Sequence, residues 1–180
     1  MNDEMLIEKK ISSEYIFDGK LLQVYRDTIE LPNGEPATRE YIKHQGAVAV
    51  VPVTDDNEII AVRQYRYPIG RVTVEIPAGK LDKGEEPLTA AKRELSEETG
   101  VEGADIEYIG GLYPSVAYTD EIIHMYVAKN LKYGEMHTDE DEFLDVVKIK
   151  IDDFVDMILK GEIMDSKTQA AVLKVAMLLK

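Results

Sequence analysis

The stretch GKLDKGEEPLTAAKRELSEETGV, residues 79–101, decides how the rest of this chain is read. A glycine-punctuated loop over residues 79–86 leads into a helix opening near Pro87 and stopping at Gly100. Proline at the first helical position and glycine just past the last are the expected start and stop signals. On that helix Glu94, Glu97 and Glu98 stand at i, i+3 and i+4, so their carboxylates leave one face. Like charges this close repel, and a bound divalent cation would turn that cost into a gain. Hard oxygen ligands suit Mg²⁺ or Mn²⁺, and Mg²⁺ is usually held by one or two carboxylates plus substrate phosphates.

The spacing is more specific than the helix. Gly79, five residues, Glu85, seven residues, then Arg93-Glu94-Leu95-Ser96-Glu97-Glu98-Thr99-Gly100-Val101 resembles the Nudix box, with no substitution at a defining position. A Glu-rich helix is ordinarily a solvated face. Arg93 beside Glu94, the paired Glu97-Glu98 and the glycines at both ends argue against that here. The resemblance implies hydrolysis of a nucleoside diphosphate linked to another moiety. It implies an α/β fold, an α/β/α sandwich with a mixed sheet, plus a small N-terminal antiparallel β-sheet. It also implies that Glu94 and Glu98 ligate Mg²⁺ (or Mn²⁺), with Glu97 in the cluster and the Ala78 carbonyl completing the site. Glu98 and Glu97 therefore count as catalytic as well. Arginine cannot ligate a metal, so Arg93 and Glu85 read as a pair fixing the loop against the helix, with Gly79 and Gly100 structural.

Composition bounds the alternatives. At 180 residues, 44% hydrophobic and 31% charged, the chain suits one ordinary soluble domain with a small appendage. No apolar run approaches the roughly 18 residues of a membrane span, and MNDEMLIEKK lacks a signal-peptide layout. The absence of cysteine excludes disulfides and thiolate metal sites and fits the cytoplasm. A net charge of −14 argues against nucleic-acid or anionic-membrane partners. Local arginines and metal ions must then supply the field for a phosphorylated substrate.

Residues 1–45 read as an N-terminal β-sheet and 46–180 as the hydrolase domain. Strands are expected at 15–17, 21–31 and 38–43, with Pro32-Asn33-Gly34 as a hairpin signal. Three strands bury no core unaided, so this sheet needs a partner. In the ADP-ribose pyrophosphatase branch of the family such a sheet builds a homodimer, and the resemblance implies one here.

Residues 46–53, GAVAVVPV, suggest a strand buried on both faces, with 58–64 as its hairpin partner after the turn at 55–57. Arg63 and Arg66 then end that strand among tyrosines, where guanidinium groups suit phosphate and aromatic faces suit a base. Residues 73–78 read as one short strand into the box. The Glu-Ile-Pro-Ala-Gly leading into it resembles the ADP-ribose and nucleotide-sugar branch. That likeness implies substrate contacts for Arg66 and Arg39, with Arg63 beside them.

After the box, strands are expected at 106–112, 122–128 and 143–149, and helices at 151–161 and 166–179. The second helix carries Ala170, Leu173, Val175, Met177 and Leu178 as its apolar set, and the first an Asp start. ADP-ribose pyrophosphatases usually carry Ser-Pro-Gly after the box, whereas this chain has Ser115-Val116-Ala117. Asp120-Glu121 matches the acidic pair that follows, and Glu121 joins the substrate-binding set. Residues 133–142 read as a mobile acidic loop, from which the resemblance implies a catalytic base, Glu142 first and Glu140 second. His44, His124 and His137 show no metal-ligand spacing and read as structural.

Three functions follow. The first is hydrolysis of ADP-ribose or an ADP-sugar, a nucleoside diphosphate sugar substrate in either case. The second is a pyrophosphatase for a different nucleoside diphosphate derivative, favoured by the absent Ser-Pro-Gly. The third, a silent nucleotide-binding module, predicts loss of a box carboxylate, and none is lost.

Overall fold

We describe residues 3–134 and 143–179 of a computed structural model. The chain forms two compact units, Met1–His44 with Ser115–Glu121, and Gln45–Pro114 with Ile122–Lys180.

The first unit is an antiparallel sheet of β1 (Lys9–Asp18), β2 (Gln23–Glu30) and β3 (Pro36–Lys43), in that order. Gly34, at φ 87°, supplies the left-handed residue of the β2–β3 turn that Asn33-Gly34 signals. β1 begins at Lys9, several residues before the strand expected at 15–17. Charged cross-strand partners hold that extension, Lys9 to Glu30 and Lys10 to Asp27, and these give no apolar alternation to read. All ten residues of β1 are exposed. Ser115–Glu121 joins this unit through Ile42, whose N–H donates to the Tyr118 carbonyl at 2.8 Å and whose carbonyl accepts from the Asp120 N–H.

The second unit contains β4 (Ala47–Pro52), β5 (Glu58–Arg66), β6 (Arg71–Glu75), β7 (Ala78–Lys80), α1 (Pro87–Thr99), β8 (Val101–Leu112), β9 (Ile123–Tyr133), β10 (Leu144–Lys150), α2 (Ile151–Leu159) and α3 (Ser166–Leu178). One sheet, ordered β7-β4-β9-β8, is mixed, because β4 and β9 run parallel; the other, β10-β5-β6, is antiparallel. Every residue of β4 is buried, and its alternation splits the core. Ala47, Ala49 and Val51 pack with Phe154, Ile158, Val172 and Val175 of α2 and α3, while Val48 and Val50 pack with Ala90, Ala91 and Leu95 of α1. That is a helix–sheet–helix sandwich. Among the described residues no helix is long and apolar enough to cross a membrane.

Five expectations need correction. β4 and β5 are not hairpin partners, since they share one bridge, Val53 with Ile59, and enter different sheets. The edges of β4 are already taken by β7 and β9. Residues 73–78 are two strands, because the chain changes sheet at Ile76-Pro77, where Pro77 has no N–H to give. On α3 the buried positions are Thr168, Ala171, Val172, Val175 and Ala176, spaced as one helical face, and Met177 and Leu178 lie outside it, exposed. Asp152 and Asp153 sit in the first turn of α2 without capping it. β8 also starts five residues early, at Val101, with register shifts that hide its alternation.

Candidate active site

Helix α1 buries Ala90, Ala91, Glu94, Leu95 and Glu98, so two carboxylates share the stripe that packs on the sheet. Ionised groups are placed there only at a cost unless they are paired. Arg93 meets part of that cost. Its Nη1 donates to Glu94 Oε1 at 2.6 Å and to Glu97 Oε2 at 3.0 Å, and its Nε and Nη2 donate to Glu85 at 3.2 and 3.1 Å. Nη2 also reaches the Lys80 carbonyl at 3.2 Å, tying the helix to β7. Hydrogen bonds from Arg93, foremost, and from the Asp82 N–H hold Glu85 below the usual glutamate range. Arg93 is in turn held protonated beyond an ordinary arginine, chiefly by Glu85.

Glu98, 2% exposed, accepts the Ala78 N–H at 3.2 Å. Gly79 is set directly against Glu94, and a Cβ built there would lie 1.9–2.3 Å from its carboxylate atoms. Gly100 closes the helix at φ 70°, its N–H donating to the Ser96 carbonyl. Ala78, Gly79, Glu85, Arg93, Glu94, Glu97 and Glu98 are thus gathered around one strand–helix contact.

The donors fit a hard divalent cation. Glu85, Glu94 and Glu97 are three carboxylates around the single guanidinium of Arg93, leaving that quartet at a formal −2 when all are ionised. The missing side chain at Gly79 opens the space that the Glu94 carboxylate needs. Among the described residues no three acidic or histidine side chains close into a ready-made cage. An open oxygen site completed by substrate phosphate is the usual arrangement for Mg²⁺.

The remaining predicted residues are divided between the two units. Arg63 donates to Asp145 of β10 at 3.0 Å, and strand alternation puts it on the face of β5 opposite Arg66. Arg39 is bound by Glu8, and Glu121 lies 3.7 Å from His44 Nδ1, all within the first unit. His137, Glu140 and Glu142 lie outside the described residues.

Arg66 anchors a network that residue-by-residue reading missed. Its Nε and Nη2 grip Glu75 bidentately at 2.8 and 2.7 Å, and Glu75 also accepts from Thr73 Oγ1 at 2.6 Å and from Lys167 of α3. Burial pushes the Glu75 carboxyl up, but Arg66, Lys167 and Thr73 outweigh it and bring the pKa down to about 2. Arg66 is raised, first by its bonds to Glu75, with the charges of Asp165 and Glu98 adding to it. The network borders a cleft of about 670 Å³, lined also by Ile69, Arg71, Val72 and Met164. Hairpin parity was the available signal for Glu75. A register pairing Arg66 with Arg71 and Val62 with Glu75 puts Arg66, Thr73 and Glu75 on one face. Nothing nearby in the sequence points to Lys167.

This network carries a pH dependence. Because the Glu75 pKa is depressed from the ordinary 4.5 to about 2, its contribution is complete above pH 4.5 and is lost as pH falls toward 2. Denaturant unfolding should therefore show a stability gap between wild type and Glu75→Gln that is constant above pH 4.5 and shrinks below it. A gap that widens in acid would contradict the assignment.

Residues 43–168 match the family described as NUDIX domain, and residues 8–42 match the nucleoside diphosphate sugar hydrolase N-terminal domain. The chain is 46% identical to the ADP-ribose pyrophosphatase of Bacillus subtilis (strain 168), over 93% of this chain and 91% of that protein. It is 47% identical to the methanol dehydrogenase activator of Bacillus methanolicus, over 92% and 90%. A solved structure titled as an ADP compounds hydrolase superposes with a TM-score of 0.84 at 24% identity, over 96% of this chain and 94% of that one, and supports the fold. A domain match spanning most of the chain, and near-half identity along almost its whole length, place this protein in the Nudix hydrolase family.

Proposed function

We propose that this Nudix enzyme hydrolyses the pyrophosphate of ADP-ribose, and of related ADP-sugars, to AMP and a sugar phosphate, with Mg²⁺ as its metal and Mn²⁺ as a substitute. The observation that carries the reading is the pair of buried carboxylates, Glu94 and Glu98, set against Ala78 and Gly79 on the strand leading from Glu75. Relatives named ADP-ribose pyrophosphatase, in Bacillus subtilis and, at 36% identity, in Mycobacterium tuberculosis, support the substrate.

Glu94 and Glu98 would hold the cation, with Glu97 beside them and the Ala78 carbonyl as a further donor. When bound, it would supply phosphate-charge neutralisation and an acidified water. Arg93 holds Glu94 and Glu97 together and oriented, and Glu85 keeps Arg93 in place. With Nε and Nη2 committed to Glu75, Arg66 presents its remaining nitrogen to a phosphate or ribose oxygen in the cleft. The likeness to the ADP-ribose branch extends the substrate-binding set to Arg39 and Glu121; Arg63 has the same chemistry but lies on the face of β5 opposite Arg66, bound to Asp145. Glu142 serves as the base, with Glu140 next in line. The exposed β1, with Ile11, Tyr15 and Phe17 outward, supports a homodimer built on the N-terminal sheet, to be checked by light scattering. A cysteine-free chain supports work in the cytoplasm.

A second reading, turnover of a different nucleoside diphosphate derivative, is favoured by Ser115-Val116-Ala117 and by the relative named as a methanol dehydrogenase activator. A panel of ADP-ribose, other ADP-sugars and dinucleotides, assayed with Mg²⁺ and Mn²⁺, separates the two. AMP from ADP-ribose as the fastest reaction supports the first reading, and turnover only of another compound replaces it. Hydrolysis in ¹⁸O water then identifies the phosphorus attacked.

A further inference from the structure

The first turn of α3 grips the strand that enters the box at two adjacent residues. Lys167 binds the Glu75 carboxylate, and Thr168 Oγ1 accepts the Ile76 N–H at 3.0 Å. Thr168 is fully buried, and its hydroxyl donates onward to Asp165 Oδ2 at 2.6 Å. Asp165 is the N-cap of α3 and also accepts the Thr168 N–H and a bond from Lys167, both at 3.0 Å. The hydroxyl can neither turn away nor serve another acceptor without leaving a buried group unpaired.

The place it grips is where the chain changes sheet. Glu75 ends β6, Pro77 has no N–H, and Ala78 begins β7 in the other sheet. Between the two ladders the Ile76 N–H is held by Thr168, and the Pro77 carbonyl accepts from the Val50 N–H at 2.9 Å. Two residues after Ile76, the Ala78 N–H meets Glu98 and Gly79 faces Glu94. A shift of the junction therefore moves the backbone against which both box carboxylates are set.

We propose that Thr168 is a positioning residue for the box. Oriented by Asp165, its hydroxyl fixes the Ile76–Ala78 backbone, and through it the placement of Glu98 and Glu94 for the cation. The proposal rests on the reading of those two carboxylates as cation-holding. Thr168→Val keeps the shape and removes the hydroxyl; Thr168→Ser keeps the hydroxyl.

Two quantities test it: Mn²⁺ binding to the substrate-free protein, followed by electron paramagnetic resonance, and steady-state kinetics on the best substrate. Thr168→Val should raise the Mn²⁺ half-saturation about tenfold and lower kcat 10- to 100-fold with KM within about twofold, the scale expected for a misplacement of about 1 Å. Thr168→Ser should restore both. A wild-type Mn²⁺ midpoint in folded Thr168→Val, an activity loss that only follows the folded fraction, or failure of serine to restore, overturns the proposal. If Thr168→Val does not fold, Asp165→Asn is read instead, with a Mn²⁺ shift of about threefold expected and an unmoved midpoint overturning it. Glu98→Gln in the same titration separates the two ideas. If it leaves the midpoint in place, the cation reading fails; if it moves the midpoint and Thr168→Val does not, only the positioning role fails.

Discussion

Glu98→Gln is expected to lower kcat about a thousandfold at saturating Mg²⁺ while the protein stays folded, a loss of about 4 kcal/mol of transition-state stabilisation. The amide has nearly the shape of the carboxylate, and its oxygen can still accept the Ala78 N–H that Glu98 now takes at 3.2 Å. What it removes is one full negative charge at a position only 2% exposed, where a solvated ion cannot replace it. The melting temperature should fall little, or rise, because a buried charge disappears. A variant that keeps most of its rate under saturating Mg²⁺ would remove Glu98 from the cation site.

Gly79→Ala should be nearly as damaging, for a steric reason. The backbone at Gly79 does not have the positive φ found at Gly84 or Gly100, so alanine meets no conformational penalty there. Its Cβ would instead fall 1.9–2.3 Å from the Glu94 carboxylate, which must move. Movement is resisted by Arg93, whose Nη1 holds Glu94 at 2.6 Å and Glu97 at 3.0 Å together. A loss of about a hundredfold or more in kcat/KM is expected, with a stability cost of about 1–3 kcal/mol from overpacking. Activity assays beside denaturant titrations check both. A fully active Gly79→Ala would mean that the Glu94 carboxylate works elsewhere than where it is seen.

The contrast between these residues and Thr168 shows what a sequence displays. Pro87, Gly100 and the i, i+3, i+4 glutamates act within one helix, so their spacing is their geometry. Arg93 and Glu85 are eight residues apart, close enough for charge and a short loop to suggest the pair. The expected strand at 46–53 was equally legible, because burial on both faces leaves an unbroken apolar run. The sheet change at Ile76-Pro77 was not, since a strand that ends and one that passes to a new sheet carry the same apolar letters. Glu75 lay hidden inside a motif read only as a family marker. Its partner Lys167, and the Thr168 hydroxyl beside it, are 92 residues away from their contacts. No local pattern encodes a pairing at that range; it follows from how α3 packs.

That separation also has a kinetic side. The Arg93–Glu85 contact closes a loop of eight residues, whereas the Thr168–Ile76 contact closes one of 92. By loop-closure entropy the longer one costs about 2 kcal/mol more to form from an open chain. During synthesis the residues of the Arg93–Glu85 pair are all present once α1 emerges, while the contact that aligns its backbone waits for α3. The order of assembly is thus ligands first and alignment last, so a chain stopped short of α3 would hold the charges of the site without its register.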